Sequence, residues 1–200
     1  MENKKLMNTA NTLDTIAKIC GGIMRVVGVI LIVFVILVLV LGEKMYDMST
    51  ISLDLDFVKL YLSEEYGEIT GWVQVYTVLG LLVVSVVCFA ACYGIKHLRK
   101  ILAPMKNGRP FEEEIPTSLK KIAWVVLVSG AVIQVVGLVE RVLLTKIYPM
   151  EQIFASDAIE RIEFVNVMDF TFVLIFGILM LLSYVFAYGQ MLQKESDETL

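Results

Sequence analysis

Residues 23–41 read IMRVVGVILIVFVILVLVL. Between Arg25 and Glu43 no side chain carries a charge or a hydrogen-bonding group. A run of this length matches the roughly 20 residues that an α-helix needs to cross the hydrocarbon core of a bilayer. Lipid offers the backbone no hydrogen-bond partner, so a lone apolar segment there must be helical. Three further runs follow, from Trp72 to Ile95, from Ile122 to Leu144 and from Val167 to Tyr188. Aromatic residues mark their ends: Trp72, Tyr93, Trp124, Tyr148, Tyr184 and Tyr188, as in an interfacial belt. The first run is longer than the apolar stretch of a signal peptide, and no small-x-small cleavage site follows it. Leu13, Ile16, Ala17 and Cys20 before it have helical spacing, so a helix leading into the membrane is expected.

Composition agrees with this reading. Hydrophobic residues make up 58% of the 200-residue chain, charged residues 19%, and the mean hydropathy is +0.76. A soluble domain of this size lacks the interior to hide so much apolar surface. Disorder is excluded, because it needs low hydrophobicity. The formal charge of −4 gives no sign of nucleic-acid binding. The three cysteines lie in or beside the apolar runs, which rules out a disulfide-stapled ectodomain. Cys88 and Cys92 share one helical face. No histidine or carboxylate accompanies them, so helix packing rather than a metal or redox pair is expected. A single histidine, His97, excludes multi-histidine metal sites, and its basic surroundings suit an interfacial position. No Walker loop, dinucleotide turn or nucleophile elbow occurs. The expectation is therefore a protein without enzymatic activity and without a cofactor or bound metal.

Charge sidedness orients the spans. Twelve of the 17 Lys and Arg residues lie in residues 1–25, in the connection 96–121 or in the C-terminal tail. The remaining five lie in the other two connections and the end of the third span, together with twelve acids, and Asp169 at the start of the fourth span is a thirteenth. The positive-inside rule then puts both termini and the middle connection in the cytoplasm. In a bacterium this is the cytoplasmic membrane, with extracellular loops at 42–71 and 145–166.

In the first of these loops Ile51, Leu53, Leu55 and Phe57 alternate with Ser52, Asp54 and Asp56, the period of a half-buried strand. Residues 161–167 of the second loop alternate in part, so a small extracellular β-strand pair joining the two loops is expected. The full expectation is one all-α domain over residues 1–200, a four-helix transmembrane bundle with this strand pair as a cap. In the middle connection, Asn107-Gly108 followed by Arg109-Pro110 reads as a turn. Lys120 and Lys121 read as anchors to anionic lipid heads.

Two groups are candidates for specific roles. Arg109, Phe111, Glu112, Glu113 and Glu114 form a motif-like corner suited to contact a soluble protein partner. Gln134, Glu140 and Arg141 are polar groups at membrane depth, where such residues are candidate sites for substrate or ions. They also suit helix packing and an interfacial ion pair. Gly130, Gln134, Gly137 and Arg141 fall on one helical face, which favours close helix approach and interhelical hydrogen bonds.

The stretch from His97-Leu98-Arg99-Lys100 through Asn107-Gly108-Arg109-Pro110-Phe111 to Leu119-Lys120-Lys121-Ile122-Ala123-Trp124 resembles the central signature of a bacterial membrane family known as domain of unknown function 2975. Phe186-Ala187-Tyr188-Gly189 and the acidic tail after it are similar as well, so the likeness covers essentially the whole chain. Glu112–Glu114 stand where relatives often have a Thr-Glu type cap. The resemblance implies a small four-span protein without established activity, commonly encoded beside a small helix-turn-helix regulator. It thus implies a membrane sensor or accessory protein for that regulator, or an immunity-type protein under its control. The expected partners are the lipid bilayer, a cytoplasmic regulator and further copies of the chain. The alternative is a small oligomeric transporter or an immunity or resistance protein acting against an external peptide.

Overall fold

The apolar runs fold into four long helices in a computed structural model. It describes the backbone of residues 2–46, 52–55, 58–61, 70–108, 111–147 and 168–198, and the side chains of residues 7–41, 74–108, 111–143 and 168–198. The helices are α1 (Glu2–Tyr46), α2 (Thr70–Lys106), α3 (Glu114–Ile147) and α4 (Thr171–Glu198). All four are long and apolar enough to cross a membrane, which fits a multi-pass membrane protein. Val and Ile dominate the first span although both are mediocre helix formers. In lipid the backbone's need for internal partners overrides that preference. Outward positions are apolar too, with Val40 73% exposed and Leu181 67%. Surfaces of that kind suit hydrocarbon, not water.

Each helix overruns its apolar run. At 37 residues, α2 is about 55 Å long, well beyond the roughly 30 Å hydrocarbon core. Residues 2–22 of α1, 96–106 of α2 and 114–121 of α3 therefore lie beyond the apolar runs. The middle connection shrinks to the few residues between Lys106 and Glu114, and the C-terminal tail continues α4 to Glu198.

The chain divides into two compact units. The first comprises Met1–Gly28, Val86–Gln134 and Met168–Leu200. Its core is Ile101, Ile115 and Leu119, packed by Met105, Ile122, Leu179 and Phe186. Ser183 is fully buried and donates its hydroxyl to the Pro116 carbonyl at 2.9 Å. Pro116 fits the first turn of α3, where backbone N–H groups have no intrahelical partner. On α1 the buried positions are Ala10, Ala17, Gly21 and Gly28, with Asp14 partly buried. The segment around Leu13, Ile16 and Cys20 is helical, as its spacing predicts, and these three side chains are exposed beside the buried Ala17. On the buried side α2 comes close to α1: a Cβ on Gly21 would sit 3.2 Å from Ile95 Cγ2.

The second unit comprises Val29–Ser85 and Val135–Val167. In it Val35 and Val38 of α1 are buried, and Gln74 of α2 donates to the Val38 carbonyl at 3.0 Å. Two short strands, β1 (Ser52–Leu55) and β2 (Val58–Tyr61), pair antiparallel with Ser52 opposite Tyr61 and Leu55 opposite Val58. This corrects the expected strand pair between the two long loops. The partner of β1 stands two residues further along the same loop, where chain closure costs far less entropy than joining distant loops. Residues 161–167 lie outside the described residues.

Candidate functional site at the turn between the second and third helices

The end of α2 is built to stop. Asn107 N–H donates to the Pro104 carbonyl at 3.0 Å and Gly108 N–H to that of Met105 at 3.2 Å, tightening the last turn. Gly108 adopts φ 71°, a conformation that glycine takes without steric penalty. Ile115 N–H then donates to the Glu112 carbonyl at 3.1 Å as α3 begins. Glu114 in the first turn of α3 faces the positive end of the helix dipole.

Phe111 packs against Phe186 of α4, with ring centroids 5.9 Å apart. It also covers Gly189, where a Cβ would stand 2.7 Å from Phe111 Cε1. Glycine at this position gives the ring its seat. Phe111 is still 41% exposed, so it is both an anchor and a surface group. Glu113 and Glu114 are exposed, and Glu112 is partly buried. Glu114 lies 3.9 Å from Lys100, a loose pair between two exposed groups that adds little stability. Arg109, the fifth member of the expected contact group, lies outside the described residues.

A second feature ties α1 to this end of α2. The Asp14 carboxylate accepts hydrogen bonds from Lys106 Nζ and from Arg99 Nε, the latter at 2.8 Å. These bonds hold its pKa below the ordinary 3.8, with Lys106 the larger influence and Arg99 the second. Nothing in the sequence pattern marked Asp14, because it is a single acid well before the first apolar run.

His97, next to Lys96 just past the apolar run of α2, is buried within the protein. It is 4% exposed, its ring meets Tyr93 edge-on at 4.6 Å, and its Nδ1 has no hydrogen-bond partner. Cys88 is buried, and the Cys92 thiol donates weakly to the Gly21 carbonyl at 3.5 Å. Among the described residues no group of three or more His, Cys, Asp or Glu side chains gathers. Lys120 stands over the Tyr184 ring at 5.2 Å, a cation–π contact.

The polar groups of α3 are placed separately. Gln134 donates through Nε2 to the Asp169 carbonyl at 2.8 Å, and Asp169 Oδ1 in turn accepts from Thr171 N–H, capping α4. Gly130 lies so close to α4 that any Cβ would collide with Phe172, the close approach expected of this face. In the second unit Glu140 lies beside Gly80 of α2, whose added Cβ would be 3.2 Å from Glu140 Oε1. A Cβ on Gly137 would meet nothing within 4 Å, so that glycine is not a point of close approach. Arg141 is engaged as well.

No curated protein and no solved structure matches the sequence at a significant level. A family model does match, but from residue 57 onward, so the likeness begins after α1 and not over essentially the whole chain. With residues 57–200 matched, the turn, the three helices around it and the C-terminal signature all fall inside, and the chain belongs to the family described as protein of unknown function, DUF2975.

Proposed function

We propose that this protein is a non-enzymatic membrane sensor or accessory protein that meets a soluble cytoplasmic partner at the turn between α2 and α3. In this reading both termini and the turn face the cytoplasm of a bacterial cell, as their excess of Lys and Arg favours. One observation carries it: Glu113 and Glu114 stand exposed on a turn that its neighbours hold in place, with Ile115 fully buried and Phe111 seated on Phe186. A preorganised surface loses less entropy on binding than a loose one. The family resemblance implies a small helix-turn-helix regulator as partner. Such proteins carry basic surfaces, which complement exposed acids.

The test is in-cell crosslinking and recovery through an N-terminal tag, comparing wild type with Glu113→Lys/Glu114→Lys. Phe111 is left intact, because its loss would disturb the seat on α4. Wild type is expected to recover a small DNA-binding protein and the variant to lose it, with both melting at the same temperature. Equal recovery by both, or recovery of the chain's own copies alone, overturns the reading. The alternative, a small oligomeric transporter or an immunity protein, rests on Gln134, Glu140 and Arg141. It draws less support, because the Gln134 amide is engaged in holding the start of α4.

A further inference from the structure

The first unit holds a cleft of about 560 Å³ between α1 and α2. Cavities of roughly 300–1,000 Å³ are the usual size of small-ligand sites. Four cations line it, Lys18 and Arg25 from α1 and Lys96 and Arg99 from α2, and no carboxylate does. Lys18 and Arg25 are two turns apart, and Gly22 between them leaves open space where a Cβ would stand. The floor is closed at Gly21, where the two helices come into contact.

The four cations are exposed side chains of like charge around one cleft, and an anion seated among them relieves their mutual repulsion. Among the described residues no carboxylate pairs with Lys18, Arg25 or Lys96. Arg99 does have a partner, Asp14, which it meets through Nε. That contact fixes the guanidinium and leaves its two terminal nitrogens to address a further anion. The cleft also has a defined depth along the chain. Arg25 is the last charge before the uninterrupted apolar run of α1, and Lys96 is the first after that of α2. Both helices therefore leave the hydrocarbon at this level, where lipid phosphates lie.

We propose that this cleft binds the phosphate of an anionic phospholipid, with Lys18, Arg25, Lys96 and Arg99 as the headgroup ligands. Basic pockets between transmembrane helices are known to take such headgroups. The site is independent of the partner-binding turn: it involves neither Glu113 nor Glu114, and loss of one reading leaves the other intact.

The test uses the full chain in a zwitterionic detergent. Thermal stabilisation is measured on adding cardiolipin, phosphatidylglycerol, phosphatidylcholine or inorganic phosphate. Stabilisation by the two anionic lipids, with little from phosphatidylcholine or free phosphate, is the expected result. Lys18→Gln/Arg25→Gln/Lys96→Gln should bind anionic lipid roughly a hundredfold more weakly. Gly22→Leu keeps every charge but fills the cleft, and should also lose binding. Lys100→Gln/Lys194→Gln removes two exposed cations outside the cleft and should bind as wild type does. The site is refuted if Gly22→Leu binds normally, because attraction to a diffuse positive surface then suffices. Equal losses in the two Gln variants overturn it in the same way. Stabilisation by inorganic phosphate as strong as that by lipid would overturn the lipid assignment. A Gln variant that fails to fold leaves Gly22→Leu to decide.

Discussion

Gly189 and Phe111 show how much one missing Cβ can carry. The ring of Phe111 sits where a side chain at 189 would otherwise be, and leans on Phe186. Gly189→Val should force the ring out and cost about 1–3 kcal/mol, the usual penalty of overpacking. Thermal melting in detergent measures it. In Phe111→Ala the seat is empty, so adding Gly189→Val to that background should cost much less than in wild type. Equal costs in the two backgrounds would show that the ring is not what Gly189 accommodates. Both residues stood out in the sequence, Phe111 as a corner residue and Gly189 within the C-terminal signature. Their meeting was not legible, since nothing local in either segment encodes a contact so distant along the chain. His97 makes the same point. Its basic neighbours are legible along the chain, whereas the burial of its ring against Tyr93 is not.

At the scale of elements the apolar runs and the Asn107-Gly108 turn were legible, because hydropathy and a positive φ are local properties. The packed face of α1 was not. Ala10, Ala17, Gly21 and Gly28 in one unit, and Val35 and Val38 in the other, follow a spacing of about 3.5 residues. In a span that is apolar all round, the lipid-facing side is as hydrophobic as the packed side, so hydrophobicity cannot reveal the seam. Residue size carries it instead: small residues are buried and Leu13, Ile16 and Ile23 are outside. Beyond the span, between Ala10 and Ala17, the seam carries the pairing of Asp14 with Lys106 and Arg99. Its pH dependence follows from linkage. The folded pKa of Asp14 is depressed, so its contribution is present above the ordinary value of 3.8 and is lost as pH falls through the folded pKa. Asp14→Asn should therefore melt lower than wild type near neutral pH, and the difference should vanish once Asp14 is protonated in both states. A gap that does not shrink as the pH is lowered below 3.8 would mean that the carboxylate's charge is not what ties α1 to α2.

For the whole molecule the strongest inference is sidedness, and it rests on charge alone. The bias acts through Lys and Arg close to the ends of spans, with little contribution from acids. Seven of these cations lie between Lys96 and Lys121, and α2 and α3 extend far enough past their apolar runs to carry most of them on helix. The cations are thus held near the membrane surface, where the bias is strongest. Reporter fusions check the result: one that fluoresces only in the cytoplasm and one that is active only outside it, each placed after Leu200 and within residues 62–69. The C-terminal fusion should fluoresce and the loop fusion should show the outside activity. Replacing Lys96, Arg99, Lys100, Lys106, Lys120 and Lys121 by Gln should weaken this pattern and yield a mixed population. Exchange of Glu112, Glu113 and Glu114 for Gln should leave it unchanged, since acids weigh little in the bias. An outside C-terminus in the wild type would reverse the reading, and the acidic turn would then face partners outside the cell instead of a cytoplasmic regulator.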